Sequence, residues 1–586
     1  MDSGVTAFAN VGRATAGGRW RAALPAPFTV VATLLALLAA AVIFAPVFIM
    51  FARHLFPHGG LDLQAFSVAF ARNGIGTAFR NSLIVVLVVN LTAVPIGVVF
   101  AWLNFRTDAR MGYVTTLLPV LPLLLPSVAL VIGWVFLGSD QSGFLTSGAV
   151  ALLRLFGADI GVSPVHIFSW PGLLFLYAIE LMPIVYVLTG AAYRSTDPAL
   201  EEAARINGSS IAKTFLTVSL PIVRHAVLLS MLLVSVLAIG IYSIPAIIGA
   251  PARITTLSVH LVRLLNGESP PAFRETAVLS LVLIMIFGCL WMAQQRLNAA
   301  GRHAQIGGQG IRANVICLGN TTRLIARMAM IGYVVLTCIL PILALLLVSL
   351  QPFWTPDVDF ARLSFDNFTE LFENRDSRTA ITNSMTIATV SSLTTLLIAA
   401  LLMAYALSSG GLREKAIGVL TKVPAAISHL VIASGIIIGF GGAPFYLANT
   451  TVILMLAYFV FYIPKASIAA EAAIRQVGPQ LSEASRICGA GGARTMWAIV
   501  LPLMLPGLAA GWALIFASVI AELTGSVILS GPRNLVMGYL LMTIYESGTY
   551  SQLAALAAVI AAISGVTVGI AMALAKPRFG GSATLE

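Results

Sequence analysis

Twelve stretches of roughly 20 or more largely apolar residues, each long enough to cross a bilayer as a helix, constrain this chain more than any other feature. They fall at 28–52, 81–105, 111–137, 168–193, 222–249 and 276–295, then at 325–350, 381–408, 416–440, 447–470, 504–530 and 551–575. The composition agrees: of 586 residues, 59% are hydrophobic and only 10% are charged, against about 25% charged in a soluble domain. The expected fold class is therefore all-α, a polytopic membrane protein of about twelve transmembrane helices. The run 423–464 contains no Asp, Glu, Lys or Arg, and Gly441-Gly442-Ala443-Pro444 supplies the turn that divides it.

The second half repeats the first. Pro198, Leu200, Glu202, Ala203, Arg205, Ile206, Gly208, Thr214, Leu220 and Pro221 recur 281 positions later as Pro479, Leu481, Glu483, Ala484, Arg486, Ile487, Gly489, Thr495, Leu501 and Pro502. Pro183 pairs with Pro464 and Arg194 with Arg475 at the same offset, and Asn81-Ser82 has its counterpart in Asn383-Ser384. An even number of spans per unit returns the chain to the side where it began, so the two six-helix repeats run parallel. The expected organisation is an N-terminal tail at 1–27, a first six-span domain at 28–295, a basic linker at 296–324, a second six-span domain at 325–575 and a tail at 576–586.

Charge sets the expected orientation. The linker carries Arg296, Arg302, Arg312 and Arg323 and no acid, whereas the loop from Asp357 to Arg378 holds six acids against three arginines. Cytosolic loops concentrate Lys and Arg, which places both termini, the linker and both repeated loops in the cytosol. The net charge of +11 is accounted for in the same way, with no call for nucleic acid. The apolar run at 28–52 is too long for a signal peptide and is expected to stay as the first span. Cys289, Cys317, Cys338 and Cys488 have no paired spacing and suggest neither a disulfide frame nor a metal site.

Each repeated loop has its own chemistry. Pro198 and Pro479 suit the first turn of a helix, where a missing N–H is not felt. Glu202 and Glu483 follow near its N-terminus, where negative charge is favoured. Ala203, Ala204 and Ala484 are small enough for another surface to approach, and Gly208 and Gly489 can take positive φ and turn the chain. Leu220-Pro221 and Leu501-Pro502 lead into the next span. The pattern Glu202-Ala203-Ala204…Gly208…Leu220-Pro221, with its second copy Glu483-Ala484-Ser485…Gly489…Leu501-Pro502, resembles the EAA loop of ABC importer permeases. Ser485 and Val218 are the departures.

That resemblance implies the type I ABC importer fold, with each loop forming a coupling helix that docks on an ATPase subunit. A single chain holding both halves is similar to the fused permeases of the ferric-iron type and their aminoalkylphosphonate and thiamine relatives, with polyamine importers also in range. The stretches Pro122–Pro126, Gly133–Leu137 and Glu522–Leu529 carry this narrower likeness. The resemblance implies two copies of a separate ATP-binding subunit and a periplasmic or lipid-anchored solute-binding protein, in a bacterial inner membrane. No Gly-x-x-x-x-Gly-Lys-Ser/Thr occurs in the chain, so ATP and Mg would be bound by the partner, with no cofactor, metal or catalytic residue here.

Within the spans, Glu180 and Glu522 are costly carboxylates and candidates to line a translocation path. His429 is expected to make an interhelical hydrogen bond. Lys465 is expected at the cytosolic end of its span, where it can snorkel. Intramembrane carboxylates would also suit a proton-coupled secondary transporter, a fold that does not require the repeated loop.

Overall fold

The computed structural model describes residues 26–575 apart from 58–59, 61, 72–73, 112–118, 120, 123–124, 158–164, 268–269, 302–314, 410, 478–480, 482–483, 486 and 490–491. The regular elements of the described chain are helices, and its one bridge is an isolated pairing of Thr107 with Ile316. Nine described helices are long and apolar enough to cross a membrane, and two bent helix pairs bring the number to eleven. The twelfth expected span, 111–137, lies partly outside the described residues and ends in a short apolar helix.

The first half contains α1 (Ala26–Leu55), α2 (Ile75–Arg106), α3 (Ser127–Gly138), α4 (Trp170–Ser195), α5 (Ala199–Ile206), α6 (Arg224–Gly240) and α7 (Pro270–Gly301). The second contains α8 (Asn320–Ser349), α9 (Arg375–Ser409), α10 (Gly411–Lys422), α11 (His429–Phe440), α12 (Thr451–Val477), α13 (Leu501–Ile520), α14 (Met537–Ser547) and α15 (Tyr550–Ala575). Leu34, Leu37, Leu38 and Phe48 are exposed along much of α1. That is the expected state of a helix whose outer surface meets lipid rather than water.

Three expected spans differ in the structure. The stretch 416–440 is broken by a 98° bend between Gly411–Ala426 and His429–Phe440. Pro424 draws the chain into a 3₁₀ turn, and Ser428 caps α11 by accepting a hydrogen bond from Leu430 N at 3.3 Å. The stretch 222–249 is bent by 73° from Ile211–Ile222, breaks at Gly240 and resumes as a π turn at Pro245–Gly249. The stretch 504–530 stops at Ile520 and resumes as a short helix at Thr524–Leu529. α7 runs on to Gly301, past the expected end of the sixth span at 295.

The halves are joined by exchanged first helices. α1 packs on α11 of the second half, and α8 packs on α3 of the first. Glycine makes both contacts possible. A Cβ on Gly133 would lie 2.6 Å from Pro341, and one on Gly439 would lie 2.8 Å from the Pro46 carbonyl. Small residues of this kind let helices approach closely where no water drives them together. Trp134 Nε1 donates to Leu336 O at 3.2 Å, Tyr333 OH to Ile179 O at 2.7 Å and Arg53 to Ala443 O at 2.6 Å. All three bonds cross between halves. At one end of the bundle the close of the linker and the start of α8 return to the first half, where Arg323 pairs with Asp108 at 3.3 Å and Arg327 donates to Ala109 O at 3.1 Å.

Candidate functional site

Both repeated loops lie at the end of the bundle that holds this linker contact. Pro198 starts α5, and Asp197 Oδ1 accepts from Ala199 N at 2.9 Å. The helix stops because Gly208 adopts φ +80°, with its N–H on Arg205 O at 3.0 Å. Gly489 has the same φ of +80°. Open space surrounds both glycines, so the left-handed turn alone calls for them. After Gly208, Ser210 caps a second short helix that runs through a π turn into Leu220-Pro221.

The side chains of α5 invert the usual burial rule. Leu200 is 61% exposed and Ile206 86% exposed, with Ala203 exposed between them. Glu201, by contrast, is buried and lies 3.5 Å from the equally buried Arg106. Arg106 also donates to Thr196 O at 2.8 Å and Thr196 Oγ1 at 2.6 Å, tying α5 to the end of α2. Glu202 is only partly buried. The anchoring carboxylate was missed in the sequence because it sits one residue before the one singled out. Only the phase of the stub helix separates them. In the second copy Leu481, Ala484 and Ile487 are exposed, and Ile487 reaches 87%. Glu483 lies outside the described residues. Ser485, a departure from the expected Ala, bonds Thr495 Oγ1 at 2.8 Å across the loop.

Polar residues also gather where the halves meet. Glu522 is buried, and its carboxylate accepts from Tyr462 OH at 2.6 Å and Gly525 N at 3.1 Å, with His429 Nδ1 at 3.2 Å. The His429 ring stacks on Phe461 at 4.2 Å. Ser428, its neighbour, faces Gly240 of the first half, where an added Cβ would meet its hydroxyl at 3.3 Å. Glu180 occupies the position in α4 that Phe461 holds in α12, and Ser127 stands where His429 does. One oxygen of Glu180 is buried without a hydrogen-bond partner, and Ser127 bonds Ser243 at 2.9 Å. Glu180 and Glu522 thus flank the meeting of the halves from opposite sides. The helix that carries Lys465 runs past the expected end of the span at 470. It continues to Val477, leaving Lys465 fourteen residues from Thr451 and twelve from Val477.

A membrane protein made of two copies of one helical unit, each with an exposed apolar stub at the same end, has the layout of a transport permease. The chain belongs to the family described as the binding-protein-dependent transport system inner membrane component, whose pattern matches residues 93–296 and 396–580. It is a multi-pass protein of the inner membrane, the fused two-domain permease of an ABC importer. It is 22% identical over 80% of its length to the ferric transport system permease protein FbpB of Actinobacillus pleuropneumoniae, covering 67% of that protein. It is 27% identical to the molybdenum transport system permease protein ModB of Escherichia coli (strain K12) over 36% of this chain and 90% of that protein. To the sulfate transport system permease protein CysW of the same organism it is 28% identical over 37% of this chain and 74% of that protein.

Proposed function

We propose that this chain is the whole membrane pathway of an ATP-driven importer, with ATP hydrolysed by two copies of a separate subunit. One observation carries the reading. Leu200, Ala203 and Ile206, and their counterparts Leu481, Ala484 and Ile487, form matched apolar faces left open at one end of the bundle. An isolated fold would bury such faces; here each suits a groove on a partner. The described end of the basic linker, with Arg323, lies at this same end, which the charge bias assigns to the cytosol together with both termini. A solute-binding protein then delivers cargo at the opposite face.

The mechanism follows from how the stubs are attached. Closure of two ATPase subunits moves α5 and its counterpart. Arg106 and Glu201 transmit the motion of α5 to α2, and the exchanged helices α1 and α8 oblige the two halves to rock against each other. Access to the meeting of the halves alternates between faces. Ferric iron is the leading cargo, because it is named for a relative matched over most of the chain. Molybdate and sulfate, named for shorter matches, are the other candidates, and aminoalkylphosphonate, thiamine and polyamine remain within the resemblance. Affinity capture of the tagged permease from its native membrane tests the reading. An ATPase subunit at two copies per chain is the expected result, and a permease isolated with no ATPase overturns it.

A further inference from the structure

We propose that the cargo crosses this permease as an anion, drawn to Lys465. This rests on the importer reading and adds the charge of what is carried. The exposure pattern of two helices first locates the path. Along α12 the outer half, 453–464, has no exposed residue, and exposure then begins at Lys465 and recurs at Ile468, Ala472, Arg475 and Gln476. In α4 the matching stripe begins at Val187 and continues through Ala191 and Arg194. A lipid-facing helix such as α1 is exposed along much of its length. Helices exposed only over the half nearest the repeated loops instead suit the walls of a cavity open at that end, closing where the exposure stops, at Lys465 and Val187.

Lys465 stands at the closed end of this opening. Its ammonium donates to Ser518 Oγ at 3.1 Å and lies 5.2 Å from the Tyr462 ring. Among the described residues it forms no ion pair, whereas Arg475 and Lys422, nearer the mouth, both share Glu471 at 2.9 and 3.1 Å. The nearby carboxylates do not face the opening in the same way. Glu522 is buried and occupied by Tyr462, Gly525 and His429. The unpartnered oxygen of Glu180 is itself buried. The first half offers Ile184 and Leu237 at the positions of Lys465 and Ser518, so the exposed cation stands on one side only, with the Glu522 carboxylate near enough to act on its charge but buried behind Tyr462. A cation within a span is costly and by default faces a pathway or a partner. With two unused donors beside a serine hydroxyl, it suits an oxyanion. The anion has two sources, a free oxyanion or a ferric ion carried inside an anionic chelate.

The test reads the cavity's charge directly. Cys289, Cys317, Cys338 and Cys488 are replaced by Ala, Ser518→Cys is introduced, and the permease–ATPase complex is prepared in inside-out vesicles. The thiol is labelled with ethylsulfonate and with ethyltrimethylammonium methanethiosulfonate. Relative to a free thiol, the anionic reagent should react at least about tenfold faster than the cationic one, a modest demand for a unit charge close by in a partly desolvated site. Lys465→Met should abolish that preference and Lys465→Arg should keep it, with capture of the ATPase showing that the variants fold. Equal rates, a cationic preference, or no reaction with either reagent overturns the inference. Uptake of labelled molybdate and sulfate, against labelled iron as ferric citrate, assigns the source. A wild-type chain that captures no ATPase defeats the importer reading and leaves the labelling ratio standing as its own result.

Discussion

Arg106 and Glu201 form a buried ion pair at 3.5 Å, joining the end of the second span to the stub helix that follows the fourth. Removing one partner leaves the other charge uncompensated, a loss of about 3–5 kcal/mol for buried pairs. Glu201→Ala is therefore expected to loosen 199–208, raising hydrogen exchange there and weakening ATPase capture. Glu202→Ala, at a partly exposed position, should have a much smaller effect on exchange. Exchange measured peptide by peptide on both variants checks the contrast.

Gly208 and Gly489 share φ +80° with open space around them. A side chain at either meets only the backbone penalty, roughly 1–2 kcal/mol, in a segment outside the spans. Gly208→Asp or Gly489→Asp should leave the protein in the membrane at near-normal abundance. Uptake and ATPase capture should both fall, and the double variant should be worse than either single one. Immunoblots of membranes alongside pull-downs from the same preparation measure this.

Glu522 accepts from three donors. Glu522→Gln keeps an acceptor for Tyr462 but removes the negative charge beside His429, so transport should change while ATPase capture persists. Glu522→Ala leaves His429 and Gly525 N without this acceptor, at about 1–3 kcal/mol for an orphaned group, while Tyr462 OH keeps its bond to Ser518 O at 2.9 Å. A lower melting temperature in detergent for Ala, but not for Gln, is the expected pattern.

A Cβ on Gly133 would lie 2.6 Å from Pro341. Gly133→Leu should therefore prise α8 from α3, with overpacking costs of about 1–3 kcal/mol or more. Gly148→Leu, at a helix position with open space around the glycine, serves as the control. Size-exclusion profiles of fluorescent fusions should show aggregation for the first and a single peak for the second.

The sequence announced the repeat, the stub helices and the glycines that end them, because each depends on residues within a few positions of one another. The 98° bend before His429 lay inside a run without charge, where hydropathy has no contrast to mark a change of direction. Lys465 was placed at a span end because the apolar run thins after Ala470, yet α12 continues to Val477 as an amphipathic extension. His429 was read as an interhelical hydrogen-bonding residue and does bond Glu522, but Tyr462 as the second donor was invisible without the fold. Glu201 was missed for the reason that makes α5 unusual. Its apolar residues face outward and its buried acid inward, and only the phase of the helix separates Glu201 from Glu202.

The exchanged first helices also set an order of events during synthesis. α1 enters the membrane hundreds of residues before its partner α11 exists. At roughly 5–20 residues per second, the wait is on the order of tens of seconds. During that time the face later covered by Gly435 and Gly439 is open to lipid and to any insertion factor shielding nascent spans. Covalent fusion of the halves ensures that the partner which finally arrives is α11 of the same chain. Two separately encoded halves would have to find each other among all the unfinished helices in the membrane.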